Sequence, residues 1–316
     1  MQNLTTKYGL INGVPWIEYY DNGVIKECIL NLHNELNTPY GSFVPQYKDD
    51  GVRRKYTKSI SFHKNGTIKS INLQDPVRVD TQVGSFLVEL ITFYENGSIN
   101  KLFPLNGKIT GYWTEENEYS LADEYEFKLS FCEFKKKIIG VGFYEDGNLK
   151  NLTLWPEDYI ELNLPVGQVK GRIGVSLYSD GSLKSYEPFI PTKLKTPIGE
   201  IYAYDASAVG INGDSNSVKF NSDGSIKSLV TSTSKISVTD RNSNTKIYEP
   251  KLKQNMFNPE VNDIEPLCIE FFDNRVRLGH DVNAEYSIKD VFISISNHPQ
   301  LLNQGCSSCS NCSGCK

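Results

Sequence analysis

Tyr19-Tyr20-Asp21-Asn22-Gly23-Val24-Ile25-Lys26 is the first of six copies of one short phrase: an aromatic or leucine, three residues, a glycine, one residue, Ile or Leu, then Lys in five of the six. It returns as Phe62-His63-Lys64-Asn65-Gly66-Thr67-Ile68-Lys69, Phe93-Tyr94-Glu95-Asn96-Gly97-Ser98-Ile99-Asn100 and Phe143-Tyr144-Glu145-Asp146-Gly147-Asn148-Leu149-Lys150. The last two are Leu177-Tyr178-Ser179-Asp180-Gly181-Ser182-Leu183-Lys184 and Phe220-Asn221-Ser222-Asp223-Gly224-Ser225-Ile226-Lys227. Asn-Gly and Asp-Gly are strong hairpin signals, because a type I′ turn, or a type I turn with a glycine bulge, needs positive φ where glycine has no Cβ to clash. The flanks agree: Ile60-Ser61-Phe62, Leu90-Ile91-Thr92-Phe93-Tyr94 and Val175-Ser176-Leu177-Tyr178 are rich in the β-branched and aromatic residues that strands favour. Apolar residues then fall two, five and often seven positions after the glycine, as at Ile68, Ile71 and Leu73. Strict alternation is broken there, which predicts a bulge or corner between the second and fifth positions.

A second phrase precedes several hairpins: Thr38-Pro39-Tyr40-Gly41, Thr81-Gln82-Val83-Gly84, Pro165-Val166-Gly167 and Thr196-Pro197-Ile198-Gly199. In three of these a proline stands two residues before the glycine, which is turn chemistry, so each unit holds more than one turn and three or four strands. Each unit must find a neighbour to bury its apolar face. The expected fold is all-β, an elongated array of repeated hairpins filling residues 1–300, followed by a cysteine-rich tail over 301–316. The uneven intervals between Gly23, Gly66, Gly97, Gly147, Gly181 and Gly224 argue against a strict solenoid, and a β-propeller is the alternative.

Two stretches carry a resemblance: Asn12-Gly13-Val14-Pro15-Trp16-Ile17-Glu18-Tyr19-Tyr20-Asp21-Asn22-Gly23-Val24-Ile25-Lys26, and Phe93-Tyr94-Glu95-Asn96-Gly97 continuing to Asn106-Gly107-Lys108-Ile109-Thr110-Gly111-Tyr112-Trp113. Both resemble the MORN-like repeats of bacterial antitoxin-type proteins, which run Asn-Gly-Lys, Gly-x-Trp, Tyr-Tyr-x-Asn-Gly-x-Leu-Lys. The resemblance implies a β scaffold with a protein-interaction role, and it carries no catalytic residues.

With 316 residues and 39% hydrophobic content the chain can bury a sizeable core. Against 38 Asp and Glu it has 33 Lys and Arg, a net charge of −5, which disfavours a phosphate-neutralising surface and hence nucleic acid. The start Met1-Gln2-Asn3-Leu4-Thr5-Thr6-Lys7 has no charged head leading into an apolar stretch, and no run approaches a membrane span. The expectation is a soluble cytoplasmic protein with no membrane partner. Helix is scarce, with Tyr119 to Phe127 the best short candidate.

Function is expected where the repeat lapses. The longest interval, between Gly97 and Gly147, holds Trp113-Thr114-Glu115-Glu116-Asn117-Glu118-Tyr119 and then Asp123 and Glu124. Trp113, Glu115, Glu116 and Glu118 form a candidate interaction surface for a cation or basic partner, or the carboxylate site of an enzyme; the plain reading is a solvated acidic loop. Asn212-Gly213-Asp214-Ser215-Asn216-Ser217 offers closely spaced oxygens, without the downstream bidentate Glu of a calcium loop. Cys28, Cys132 and Cys268 sit in apolar strand contexts, where core thiols are usual. By contrast Cys306, Cys309, Cys312 and Cys315 are three apart, a CxxCxxCxxC run that meets the count for tetrahedral zinc or an iron–sulfur cluster. A redox or cross-linking tail, or a precursor whose tail is enzymatically modified, are the other readings of that segment. Among the histidines, His63 stands where Tyr stands in four other copies, so it is a repeat variant before it is a base. No nucleophile elbow, phosphate-cradling loop or His-Glu-x-x-His is present, and the chain is read as a non-catalytic scaffold.

Overall fold

The computed structural model describes residues 2–49, 51–54, 58–165, 167–208, 216–256, 258, 262–279, 281 and 284–297. Among them are 28 strands and a single α-helix, Glu115–Leu121. All six phrases close hairpins of one design. The residue after the first aromatic donates its N–H across the turn, as Tyr20 to Val24 O at 2.8 Å, and the glycine donates back, as Gly23 to Tyr20 O at 2.9 Å. The six glycines take φ between 78° and 88°. This is the type I turn closed by a glycine bulge rather than type I′. The residue before each glycine explains why it is Asn or Asp: its side-chain oxygen accepts the N–H two residues on, at 3.1 Å for Asn22, 2.9 Å for Asn65, Asn96 and Asp146, and 2.8 Å for Asp223. A Cβ at Gly97 would meet nothing within 4 Å. Gly97→Ala therefore tests backbone strain alone, and should lower stability by about 1–2 kcal/mol, read as a shift of the urea midpoint at unchanged m-value.

The expected bulge is present in every copy. Phe62 pairs with Ile68 and Ser61 with Ser70, leaving Lys69 as the extra residue, and Lys26, Asn100, Lys150, Lys184 and Lys227 are displaced in the same way. The extra residue returns the fifth position after the glycine to the inner face. Cys28, Ile71, Leu102, Leu152, Tyr186 and Leu229 occupy that position, and each is 0% exposed.

Hydrogen bonds between side chain and backbone tie successive turns together. The Tyr20 hydroxyl donates to Phe62 O at 2.9 Å, Tyr94 to Phe143 O at 2.8 Å and Tyr178 to Phe220 O at 2.7 Å. His63, the variant in this position, reaches Phe93 O through Nε2 at 2.9 Å, so the imidazole serves as a rung. Removing one rung as Tyr94→Phe should cost about 1 kcal/mol, measured by equilibrium urea unfolding.

The chain divides into two compact units, residues 1–129 with 133–155 and 179–181, and residues 130–132 with 156–178 and 182 onward. In the first, Trp16–Tyr19, Ile25–Ile29, Ile60–Phe62, Ile68–Thr81, Gly84–Phe93, Ile99–Phe103, Cys132–Phe143 and Leu149–Leu154 follow one another as antiparallel neighbours. In the second the order is Tyr159–Leu164, Gly167–Leu177, Leu183–Pro188, Val218–Phe220, Ile226–Thr231, Leu267–Phe272, Arg275–Leu278 and Glu285–Ser287. Within each unit successive repeats are thus hydrogen-bonded edge to edge, as Cys28 with Ile60 and Tyr186 with Val218. A propeller would instead confine each repeat to its own blade.

The second phrase also closes hairpins, and its working residue is threonine rather than proline. Thr38, Thr81 and Thr196 each donate Oγ1–H to the carbonyl of the glycine three residues on, at 2.9, 2.8 and 2.6 Å, and accept the N–H between. Thr6-Lys7-Tyr8-Gly9, which has no proline, forms the same loop. Among the described residues no helix is long and apolar enough to cross a membrane.

Candidate functional site: the acidic insertion

The insertion after Gly107 opens with a capped helix. Thr114 is the N-cap and forms a reciprocal capping box with Asn117, which starts the helix at Glu115, earlier than the Tyr119 to Phe127 expectation. Beyond Ala122 the chain turns to strand at Glu124–Leu129. Phe127 there stacks on Phe134, with ring centroids 5.3 Å apart.

Glu115 and Glu116 lie exposed in the first turn, where the helix N-terminus favours negative charge. Glu118 turns inward and is 7% exposed. Its carboxylate accepts from Trp113 Nε1 at 2.6 Å, from the Gly107 N–H at 2.9 Å, and from Arg53 Nε and Nη2 at 2.8 and 2.7 Å. The same guanidinium grips Glu89, on strand Gly84–Phe93, through Nη1 and Nη2 at 2.9 and 2.8 Å. Arg54 Nε stands 3.9 Å from Glu89 and its Nη1 donates to Gln74 O at 2.8 Å. Two arginines and two glutamates therefore share one largely buried cluster, with Arg53 forked onto both carboxylates. Burial alone would raise the Glu118 pKa, but the hydrogen bonds from Arg53 and Trp113 hold it below the ordinary carboxylate value. A Cβ at Gly107 would run into the Glu118 carboxylate, so a larger residue there would have to displace it from its partners.

Trp113 and Glu118 are thus brought together, and they fasten the insertion to the sheet, leaving Glu115 and Glu116 on its outer face. Asp123 and Glu124, with Arg78, Glu126 and Lys135, line an adjacent open cleft of about 630 Å³. Arg53 and Glu89 escaped the sequence reading. The available signal was Glu89 itself, a lone acid inside Phe86-Leu87-Val88-Glu89-Leu90-Ile91, where an inward carboxylate demands a cation.

The second unit has its own buried acid. Glu187, at 1% exposure, accepts the Ser217 N–H at 2.7 Å, while Arg172 Nη2 lies 3.9 Å away, donates to Asp205 O and stacks 4.9 Å from the Tyr204 ring. Burial pushes the Glu187 carboxyl up to about 7, against the opposing pull of the Ser217 hydrogen bonds and Arg172. Of the polar stretch Asn212 to Ser217, the first four residues lie outside the described residues. Asn216 and Ser217 are buried and bond within the protein, Asn216 Nδ2 to Ser185 Oγ at 3.0 Å.

Cys28 and Cys132 are buried, and burial pushes both thiols up to about 12, as for core residues; Cys268 is partly exposed. No group of three or more His, Cys, Asp or Glu able to hold a metal occurs among the described residues. Cys306, Cys309, Cys312 and Cys315 lie outside them. Comparison with protein-family models, curated proteins and solved structures finds no match to the chain.

Proposed function

We propose that the chain is a non-catalytic β-repeat scaffold for protein interaction that carries a soft-metal site in Cys306, Cys309, Cys312 and Cys315. The observation that carries this reading is the contrast among the cysteines. Cys28 and Cys132 are protonated core thiols, whereas four others are gathered at three-residue spacing in a segment of Ser, Asn and Gly. Four thiolates satisfy tetrahedral zinc or a cubane cluster, and metal binding supplies folding free energy that a segment with so few apolar residues cannot draw from burial. Glu115 and Glu116, exposed on a helix whose inner side is clamped by Glu118, offer a fixed acidic surface to a basic protein partner.

The test is metal and sulfide content after anaerobic purification, with and without residues 306–315. The reading expects about one zinc or one cluster per whole chain and neither after deletion. Equal, negligible content in both would sink it.

A further inference from the structure

The first repeat differs from the other five in what covers it. Ile60, Ile91, Val141, Val175 and Val218, two residues before the turn's leading aromatic or leucine, are each 0% exposed, and Phe62, Phe93, Phe143, Leu177 and Phe220 are at most 4%. Their counterparts in the first repeat are Ile17, only half-buried, and Tyr19, 45% exposed.

The cause lies in how hairpins interlock. The tip Thr6-Lys7-Tyr8-Gly9 precedes the first repeat yet rests on the second: Lys7 Nζ donates to Asn65 O at 2.7 Å and the Tyr8 hydroxyl accepts the Ile68 N–H at 3.2 Å. The next tip places the Tyr40 ring 6.1 Å from Phe93 of the third repeat, and Gln82 of the following one lies against Gly147 of the fourth. These three tips each serve the repeat after their own, and among the described residues no contact of a tip with Ile17 or Tyr19 of the first repeat is found. The strand edge tells the same story. Ile60–Phe62 is paired on its outer side by Ile25–Ile29 and its Phe62 carbonyl takes the Tyr20 hydroxyl. Among the described residues, Trp16–Tyr19 pairs only with Ile25–Ile29.

We propose that strand Trp16–Tyr19 is a docking edge for a separate polypeptide, which adds an antiparallel strand to it and lays a hairpin tip over Ile17 and Tyr19. Strand addition at a free edge takes its affinity from backbone hydrogen bonds and its selectivity from the side chains on either side. The chain's own repeat contacts define the occupant. It is a β-hairpin with an apolar or aromatic residue at its tip, and a side chain that donates a hydrogen bond to the Tyr19 carbonyl. Glu18 already pairs with Lys26 at 2.7 Å, so the edge asks for no net charge from its partner. This surface uses neither the acidic helix nor the four C-terminal cysteines, and its failure would leave that reading standing.

The probe is a synthetic peptide of residues 2–30, the layer that covers the second repeat within the chain, titrated into the whole protein while backbone amides of residues 16–19 are followed by hydrogen exchange. Saturable protection of these amides by about 1 mM peptide is expected, and at least about tenfold weaker binding to Tyr19→Arg, whose exposed site leaves the fold intact. Tyr19→Ser, which removes the ring without adding charge, should weaken binding in the same direction and serves if the arginine variant misfolds. No protection at that concentration would overturn the proposal. So would equal binding to wild type and the Tyr19 variants, the signature of peptide exchanging with the chain's own first hairpin.

Discussion

Arg53→Met should be the most damaging single change in the first unit, lowering unfolding free energy by about 3–5 kcal/mol in urea denaturation. The guanidinium makes four hydrogen bonds, two to each of Glu89 and Glu118, whose side chains are 5% and 9% exposed. Without it two buried carboxylates lose their shared cation, keeping the N–H donors of Asn106, Trp113 and Gly107, with Arg54 Nε 3.9 Å from Glu89. The penalty comes from the stranded charges more than from the lost contacts. Adding Glu118→Gln to the same chain should therefore recover part of it, the reverse of simple additivity. The loss should be greatest around residues 105–123, which Glu118 and Trp113 fasten to the sheet, and hydrogen exchange reports that region separately. The acid side carries the same signature. Glu118 is held below its ordinary 4.5, so its contribution is present above that value and is lost as pH falls through the lower, folded-state value. Arg53→Met should weaken this dependence, leaving only the lowering from Trp113 and Gly107.

The second large effect has the opposite sign in pH. Glu187 is raised from 4.5 to about 7 by burial, so the folded state holds a proton that the unfolded chain releases. Its favourable contribution is complete below 4.5 and is lost as pH rises through 7, amounting to about 3 kcal/mol across that window. The charged groups facing it are Arg172, at 3.9 Å, and Asp205, which opposes ionisation. Glu187→Gln keeps the acceptor for the Ser217 N–H without the charge. It should flatten the decline in melting temperature between about pH 4.5 and 7. A variant that declines as steeply as wild type would assign the titration elsewhere.

Where the physics is local, the chain declares its structure. Each Asn-Gly or Asp-Gly fixes its own turn within four residues, and the two-five-seven spacing after the glycine already encodes the bulge at Lys69 and its five equivalents. The same logic made His63 legible as a repeat variant, and it is a rung to Phe93. Threonine was overlooked in the second phrase because proline is the louder turn residue, so Thr6-Lys7-Tyr8-Gly9 passed unnoticed although its hydroxyl closes the same loop. The acidic insertion was found by the lapse in the repeat. Its inner partners were not, because Arg53, Glu89 and Glu118 are far apart in the chain, and no local spacing relates a residue before the Ile60–Phe62 strand to one in a later helix. Glu187 likewise hides within Ser185-Tyr186-Glu187-Pro188, where only the observed burial reveals a shifted carboxyl.

If the repeats form the complete folded body and the cysteine segment is cargo upon it, the chain ended after Asn297 should fold alone. Thermal melting of that chain beside the whole protein tests this directly. The account predicts the same cooperative transition at the same temperature in both. A truncated chain that melts markedly lower, or without cooperativity, would contradict it.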